Sequence, residues 1–114
     1  MSEPSKLHIL WTNNDVLTSQ LMVIFYATTS MVNKLWDSVT VIIWGAPVEL
    51  VAESEVIQDE IRAAQNVGVK FSACTSCANR LGVVEELEGL GIEVTPWAEP
   101  FTKLVKNGEA IVYV

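Results

Sequence analysis

The segment DSVTVIIWG (residues 37–45) reads Val39, Thr40, Val41, Ile42, Ile43 and Trp44 in an unbroken row before Gly45. Only Thr40 interrupts its apolar side chains. The run is short, β-branched and closed by glycine, so it reads as a strand. It does not alternate with polar residues, so both of its faces are expected to be covered. Strands of that kind belong to parallel sheets that carry helices on both sides. A parallel sheet in turn demands crossover connections, and the flanking sequence supplies them. Upstream, DVLTSQLMVIFYATTSMVNKLW (15–36) places Leu17, Leu21, Ile24, Phe25, Thr28, Val32 and Leu35 at helical spacing. Met22, Tyr26 and Met31 add apolar character outside that stripe, as expected of a helix buried on more than one face, the second by a subunit contact. Asn13, Asn14 or Asp15 can cap it. Before it, KLHILWT (6–12) is a first strand.

Downstream, Pro47 suits the first turn of a short helix. Ser54 with Glu55 and Ile57 restarts a second one, expected to pack through Val56, Ile57, Ile61 and Ala64 and to stop at Asn66 and Gly68. VKFSA (69–73) is a third strand. SCANRLGVVEELEGLG (76–91) is helical with a break near Gly82. IEVTP (92–96) is a short strand, EPFTKLVKNG (99–108) a helix with Pro100 in its first turn, and EAIVYV (109–114) a closing strand. The order β-α-β-α-β-α-β-α-β predicts a single α/β domain over 1–114, a mainly parallel sheet with helices on both faces.

The 114 residues include seven Lys plus Arg against fourteen Asp plus Glu, a net charge of −7. Nucleic-acid binding needs a basic face, so no nucleic-acid partner is expected. An acidic membrane surface would repel the chain. The longest apolar run, LMVIFYA (21–27), is far short of the roughly 20 residues that cross a bilayer. MSEPSKLHIL opens polar, without the cationic start and cleavage site of a secretory signal. The expected compartment is the cytoplasm, where thiols stay reduced. Half the residues are hydrophobic and the mean hydropathy is +0.33, rich for a small domain, which points to apolar surface facing another copy.

In parallel α/β sheets ligands sit beyond the carboxyl ends of the strands. Those ends read WTNND, WGAPVE, SACTSC and TPWAEP. They gather Thr12, Asn13, Trp44, Gly45 and Trp97, with Trp11, around Cys74 and Cys77, the two cysteines of the chain. The indoles are read first as packing and second as walls of a ligand site. The CxxC admits several chemistries. Structural zinc takes four ligands, and one CxxC with one His, His8, does not make a site within one chain; only two chains sharing a metal would. No metal and no cofactor are expected. A reversible Cys74–Cys77 disulfide would make a thiol-redox sensor. A helix starting just after Cys74 would aim its amides at the sulfur and favour a thiolate, which can hold a persulfide. Arg80 could add positive charge. Both cysteines could also be small buried hydrophobes.

At ACTSCANRLGV (73–83) the sequence resembles the DsrE/DsrF-like family, in which a Cys at a strand end precedes a Gly-Val, here Gly82-Val83. WTNND, WGAPVELV and the closing GIEVTPWAEPFTKLVKNGEAIVYV, with Phe101-Thr102-Lys103-Leu104 in its helix, extend the likeness over nearly the whole chain. The resemblance implies a three-layer α/β/α domain with a parallel sheet of about five strands and a homo-oligomer, trimer or hexamer. It also implies a sulfur carrier that holds sulfane sulfur as a persulfide on Cys74 and exchanges it with a donor or acceptor protein. Cys77 lies outside the pattern of the relay subunits and is expected to tune or resolve the persulfide. The walls expected for that site are Thr12, Asn13, Trp44, Gly45 and Trp97. The competing reading is an oligomeric small-molecule-binding protein with incidental thiols.

Overall fold

The computed structural model describes residues 5–114. Five strands form one sheet in the order β4-β3-β2-β1-β5, every neighbouring pair parallel. They are β1 Lys6–Trp11, β2 Ser38–Ile43, β3 Lys70–Cys74, β4 Glu93–Thr95 and β5 Ala110–Tyr113. The stretch 37–45 supplies the middle strand. Val39, Val41, Ile42 and Ile43 are all 0 % exposed. Ile42 points away from Val41 and Ile43, so both faces of β2 are indeed covered.

The two covers are unequal. From β1 to β4 the chain steps the same way across the sheet, and right-handed crossovers put all those connections on one face. These are the first helix, then α3 Ala46–Glu53, α4 Glu55–Asn66, α5 Thr75–Leu81 and α6 Val84–Gly89. The step from β4 to β5 runs back across the sheet, which leaves α7 Ala98–Lys106 alone on the other face. The core follows this division. Leu7, Ile9 and Trp11 of β1 pack with Val48, Val51, Ile57, Ile61, Ala78 and Leu87 from the larger helical layer. On the α7 side, Phe101 meets Trp44 and Tyr113 edge to face, with ring centroids 5.6 and 6.4 Å apart. Among the described residues, no helix is long and apolar enough to cross a membrane.

The first helix is one rod in three parts: α1 Val16–Thr18, a π-helical stretch Ser19–Ile24 and α2 Phe25–Val32. Asn13 Oδ1 accepts the Asp15 N–H at 2.8 Å, and Asp15 Oδ2 accepts the Thr18 N–H at 2.9 Å, so Asp15 is the cap. The Thr18 backbone N–H and hydroxyl hold the Asp15 carboxyl below its ordinary value. Two sequence expectations fail here. The helix ends at Val32 instead of continuing to residue 36: Lys34 turns left-handed at φ 55, and the Leu35 N–H closes back on the Ser30 carbonyl at 2.8 Å. The stripe Leu17, Leu21, Phe25, Val32 and Leu35 also faces outward. The side packed on the sheet carries Ser19, Val23, Ile24, Ala27 and Ser30, whose small members let the helix backbone approach closely.

The other joints follow the sequence. Ser54 Oγ accepts the Ile57 N–H and starts α4, which buries Ile57, Ile61 and Ala64. Val56 departs from expectation and stays exposed. Gly82 breaks the 76–91 segment in a left-handed conformation.

Two substitutions probe these turns by chemical denaturation. Lys34→Gly relieves a left-handed residue that carries a Cβ, and is expected to raise stability by about 1 kcal/mol. Gly68 has φ +103, and a Cβ there would lie 3.1 Å from Met31 Cε. Gly68→Ala is expected to cost about 1–3 kcal/mol.

Candidate functional site

Parallel winding brings the ends of β1, β2 and β3 to one edge, and the chain turns there into its next helices. Cys74 is the last residue of β3 and the N-cap of α5, with φ −67 and ψ 126. Its place in the strand decides its fate. It alternates with Ala73, points to the α7 face and is 5 % exposed. Cys77 lies one turn into α5 and is half-buried. The turn after β2 reaches it: the Gly45 N–H donates to Cys77 Sγ at 3.3 Å. Gly45 has φ +84, a conformation that a side chain would strain. Trp44 therefore enters this turn with its indole directed to Phe101 while the next amide serves the thiol.

A cavity of about 250 Å³ opens beside that contact, lined by Gly45, Ala46, Glu49, Cys77, Arg80 and Leu81, with Asn14 completing the rim. Arg80 and Leu81 follow Cys77 by three and four residues on α5, hence on its side of the helix. Glu49 lies on the first turn of α3. One cation and one carboxylate thus line the space into which Cys77 looks, and among the described residues Arg80 is in neither of the ion pairs, which are Arg62–Asp59 and Lys103–Glu99. Burial pushes the Cys77 thiol above its ordinary 9.0. The Gly45 N–H opposes that rise, and the neighbouring Cys74 adds to it.

Of the residues expected at the site, the structure brings together Cys74, Cys77 and Gly45. The other four lie elsewhere. Thr12 is tied to the chain end, its N–H and hydroxyl both reaching the Val114 carbonyl at 2.9 Å. Asn13 holds the turn before α1, its carbonyl accepting the Trp11 indole N–H at 2.7 Å. Trp44 meets Phe101 edge to face, and the Trp97 N–H donates to Ser72 Oγ at 2.8 Å. Trp11 is wholly buried core. Asn14, Ala46, Glu49 and Leu81 were not read as walls. Their signal was available: each lies within one helical turn of a strand-end residue or of Cys77.

No family model and no curated protein matches the chain. Among solved structures, a conserved protein of unknown function from Bacteroides thetaiotaomicron, BT1422, superposes with a TM-score of 0.94. It is 36 % identical over 96 % of this chain and 95 % of its own. The chain belongs to the family of this Bacteroides protein. A protein of unknown function from Methanobacterium thermoautotrophicum, MTH1491, shares the fold at a TM-score of 0.72 and 20 % identity, over 96 % of each chain. Both structures thus match the fold over nearly the full length of the chain.

The geometry sets the order of thiol reactivity. Alkylation by iodoacetamide, followed by peptide mass mapping, is expected to modify Cys77 well before Cys74. The folded-state thiol is raised, so its thiolate fraction at neutral pH is below that of an ordinary thiol. The rate at Cys77 should therefore keep climbing past pH 9. The same shift is a linkage statement: the native state loses stability as pH rises from the unfolded thiol value through the folded one. Faster labelling of Cys74, or a Cys77 rate that levels off below pH 8, would contradict this site.

Proposed function

We propose that the protein carries sulfane sulfur as a persulfide on its Cys74–Cys77 pair. One observation supports this reading most: Cys77 Sγ sits on the wall of a small cavity, held by the Gly45 N–H, with the second thiol beside it. The likeness of ACTSCANRLGV to the DsrE/DsrF-like family supports the choice of sulfur as cargo. Size supports it as well. At about 250 Å³ the cavity falls under the roughly 300–1,000 Å³ of ordinary ligand pockets, which favours a very small cargo over a drug-sized molecule.

The unequal burial of the two cysteines favours Cys77 over Cys74, the thiol expected from the resemblance, as the one that meets a donor. Cys74 cannot be the first thiol to meet a donor, whereas Cys77 can. The Cys77 thiolate attacks the outer sulfur of a donor persulfide, R–S–S⁻. The donor S–S bond breaks, its electron pair leaves on R–S⁻, and a new S–S bond forms on Cys77. An acceptor thiolate then attacks the outer sulfur, and Cys77 departs as thiolate, with no net oxidation. A persulfide is more acidic than its parent thiol. The cargo therefore ionises in a place where the resting thiol stays protonated, and the Gly45 N–H and Arg80 face that charge. Cys74 offers the exit reaction. Its attack on the inner sulfur expels hydrosulfide and leaves a Cys74–Cys77 disulfide, which a dithiol reductant must reopen. Such a carrier works in the cytoplasm, where thiols are kept reduced. Its partners are donor and acceptor proteins that present a thiol.

Intact-mass spectrometry of the reduced protein after exposure to inorganic polysulfide tests the reading. A gain of one sulfur is expected in the wild type, is absent in Cys77→Ser, and lasts longer in Cys74→Ser. No gain with both thiols free would end the carrier reading in favour of a binding protein. A loss of two hydrogens without retained sulfur would favour a dithiol redox sensor.

A further inference from the structure

The cavity beside Cys77 carries two opposite charges that do not neutralise each other. Arg80 and Glu49 both line its space of about 250 Å³. Among the described residues neither forms an ion pair, with the other or with any third group. Each keeps its charge without a partner because of where it stands. Glu49 is in the first turn of α3 and Arg80 in the last turn of α5, and the helix dipoles favour an acid at the former and a base at the latter. Ala46 and Leu81 add apolar wall, and no other charged residue lines the space.

A ligand that satisfies this lining brings one carboxylate for the Arg80 guanidinium, one ammonium for Glu49 and a sulfur for Cys77. A free α-amino acid with a sulfur-bearing side chain carries all three around one carbon atom. A cysteine inside a polypeptide does not, because its amino and carboxyl groups are neutral amides and both site charges would go unmet. An inorganic polysulfide does not either: it is an anion that Arg80 attracts and Glu49 repels. Size agrees. At about 30 Å³ per water in the liquid, the space takes about eight water-sized groups, and the persulfide of cysteine has as many non-hydrogen atoms. The charges of the lining sum to zero, as do the carboxylate and ammonium of an amino acid.

We infer that the cavity binds a free amino-acid persulfide of the cysteine type, its carboxylate on Arg80 and its ammonium on Glu49, and takes sulfur from it on Cys77. The inference rests on the sulfur reading for its chemistry and adds a small-molecule donor to the protein partners. The exchange balances: Cys77–SH and R–S–S⁻ become Cys77–S–S⁻ and R–SH. The donor S–S bond breaks, a new one forms on Cys77, and the thiol proton ends on the departing cysteine. No oxidant or reductant enters. Arg80 and Glu49 hold the donor and take no part in either bond.

Initial rates of sulfur gain, read by intact mass on the full chain with Cys74→Ser, compare three donors. They are the persulfide of cysteine, made from cystine and sulfide, that of cysteamine, which lacks the carboxylate, and inorganic polysulfide. Cysteine persulfide is expected to load about tenfold faster than cysteamine persulfide, and Arg80→Gln should bring the two together. Glu49→Gln should slow loading from cysteine persulfide several-fold and speed it from polysulfide, since one carboxylate attracts the ammonium and repels the anion. A misfolded variant would slow both, so opposite signs separate binding from structure. Lys106→Gln, which removes a cation from α7 on the other face, should change neither rate. A second readout needs no reaction: S-methylcysteine, which has no sulfur to give, should shift the NMR amide signals of Ala46, Glu49 and Arg80 in the wild type and not in Glu49→Gln/Arg80→Gln. Loading from polysulfide with no preference between the two organic persulfides overturns this inference and leaves the carrier reading standing. So do equal effects of Glu49→Gln on both kinds of donor, or no shift with S-methylcysteine. No gain from any donor ends the carrier reading and the inference with it.

Discussion

Strand β2 buries its side chains on both sides, and most of the molecule follows from that constraint. A strand without a wet face cannot be joined to its neighbours by tight hairpins that leave one surface bare. Each connection must leave the sheet, cover it and return in the same direction. Parallel pairing then fixes where the strand ends lie: all carboxyl ends share one edge. Cys74 and the Trp44-Gly45 turn come together there because β3 and β2 are neighbours in register, Ile43 beside Ala73. The thiol–amide contact between Cys77 and Gly45 is thus a consequence of sheet order, reached from residues 32 positions apart in the chain.

The direction of winding sets a second consequence. Stepping one way from β1 to β4 loads one face with nearly all the helical mass. The last crossover gives the opposite face only α7, in which no residue is fully buried. The first helix is the last member of its layer on the β1 side, with no helix beyond it toward β5. Its outward stripe is therefore uncovered for a topological reason. The sequence places Leu, Phe and Val on a face that the single chain does not bury, a face without charge between residues 16 and 33.

Local chemistry made most of the fold legible. Ser54, Gly68 and Gly82 each punctuate a helix through a backbone requirement that the residue type reveals, and the unbroken row in 37–45 revealed the sheet. Two things were hidden. Periodicity shows that a helix has an apolar face, but it cannot tell which face meets the core when small residues such as Ser19, Ala27 and Ser30 also permit packing. The close approach of the backbone decided that contest in favour of the small side. At the site, the CxxC and the strand-end rule located the thiols, yet their unequal burial depended on the element each sulfur belongs to. Cys74 continues the strand alternation into the sheet, while Cys77 belongs to the helix and looks outward. A strand-to-helix switch between them leaves that assignment out of reach of spacing alone. Trp11, Trp44 and Trp97 follow the first of their two readings, packing: each indole N–H or ring is satisfied by a nearby partner, so none lines the cavity.

The acidity of the half-buried Cys77 thiol bears on what such a site can do. A thiol held protonated near neutral pH reacts slowly with adventitious oxidants, because the thiolate is the reactive form. The elements that raise it are partial desolvation and a second sulfur nearby, while the Gly45 amide pulls the other way. A dithiol of this kind is guarded at rest. A persulfide is more acidic than its parent thiol, so the cargo proposed for Cys77 would ionise where the resting thiol does not. On the proposed reading, reactivity would then be tied to occupancy of the cavity beside Cys77 instead of to exposure alone.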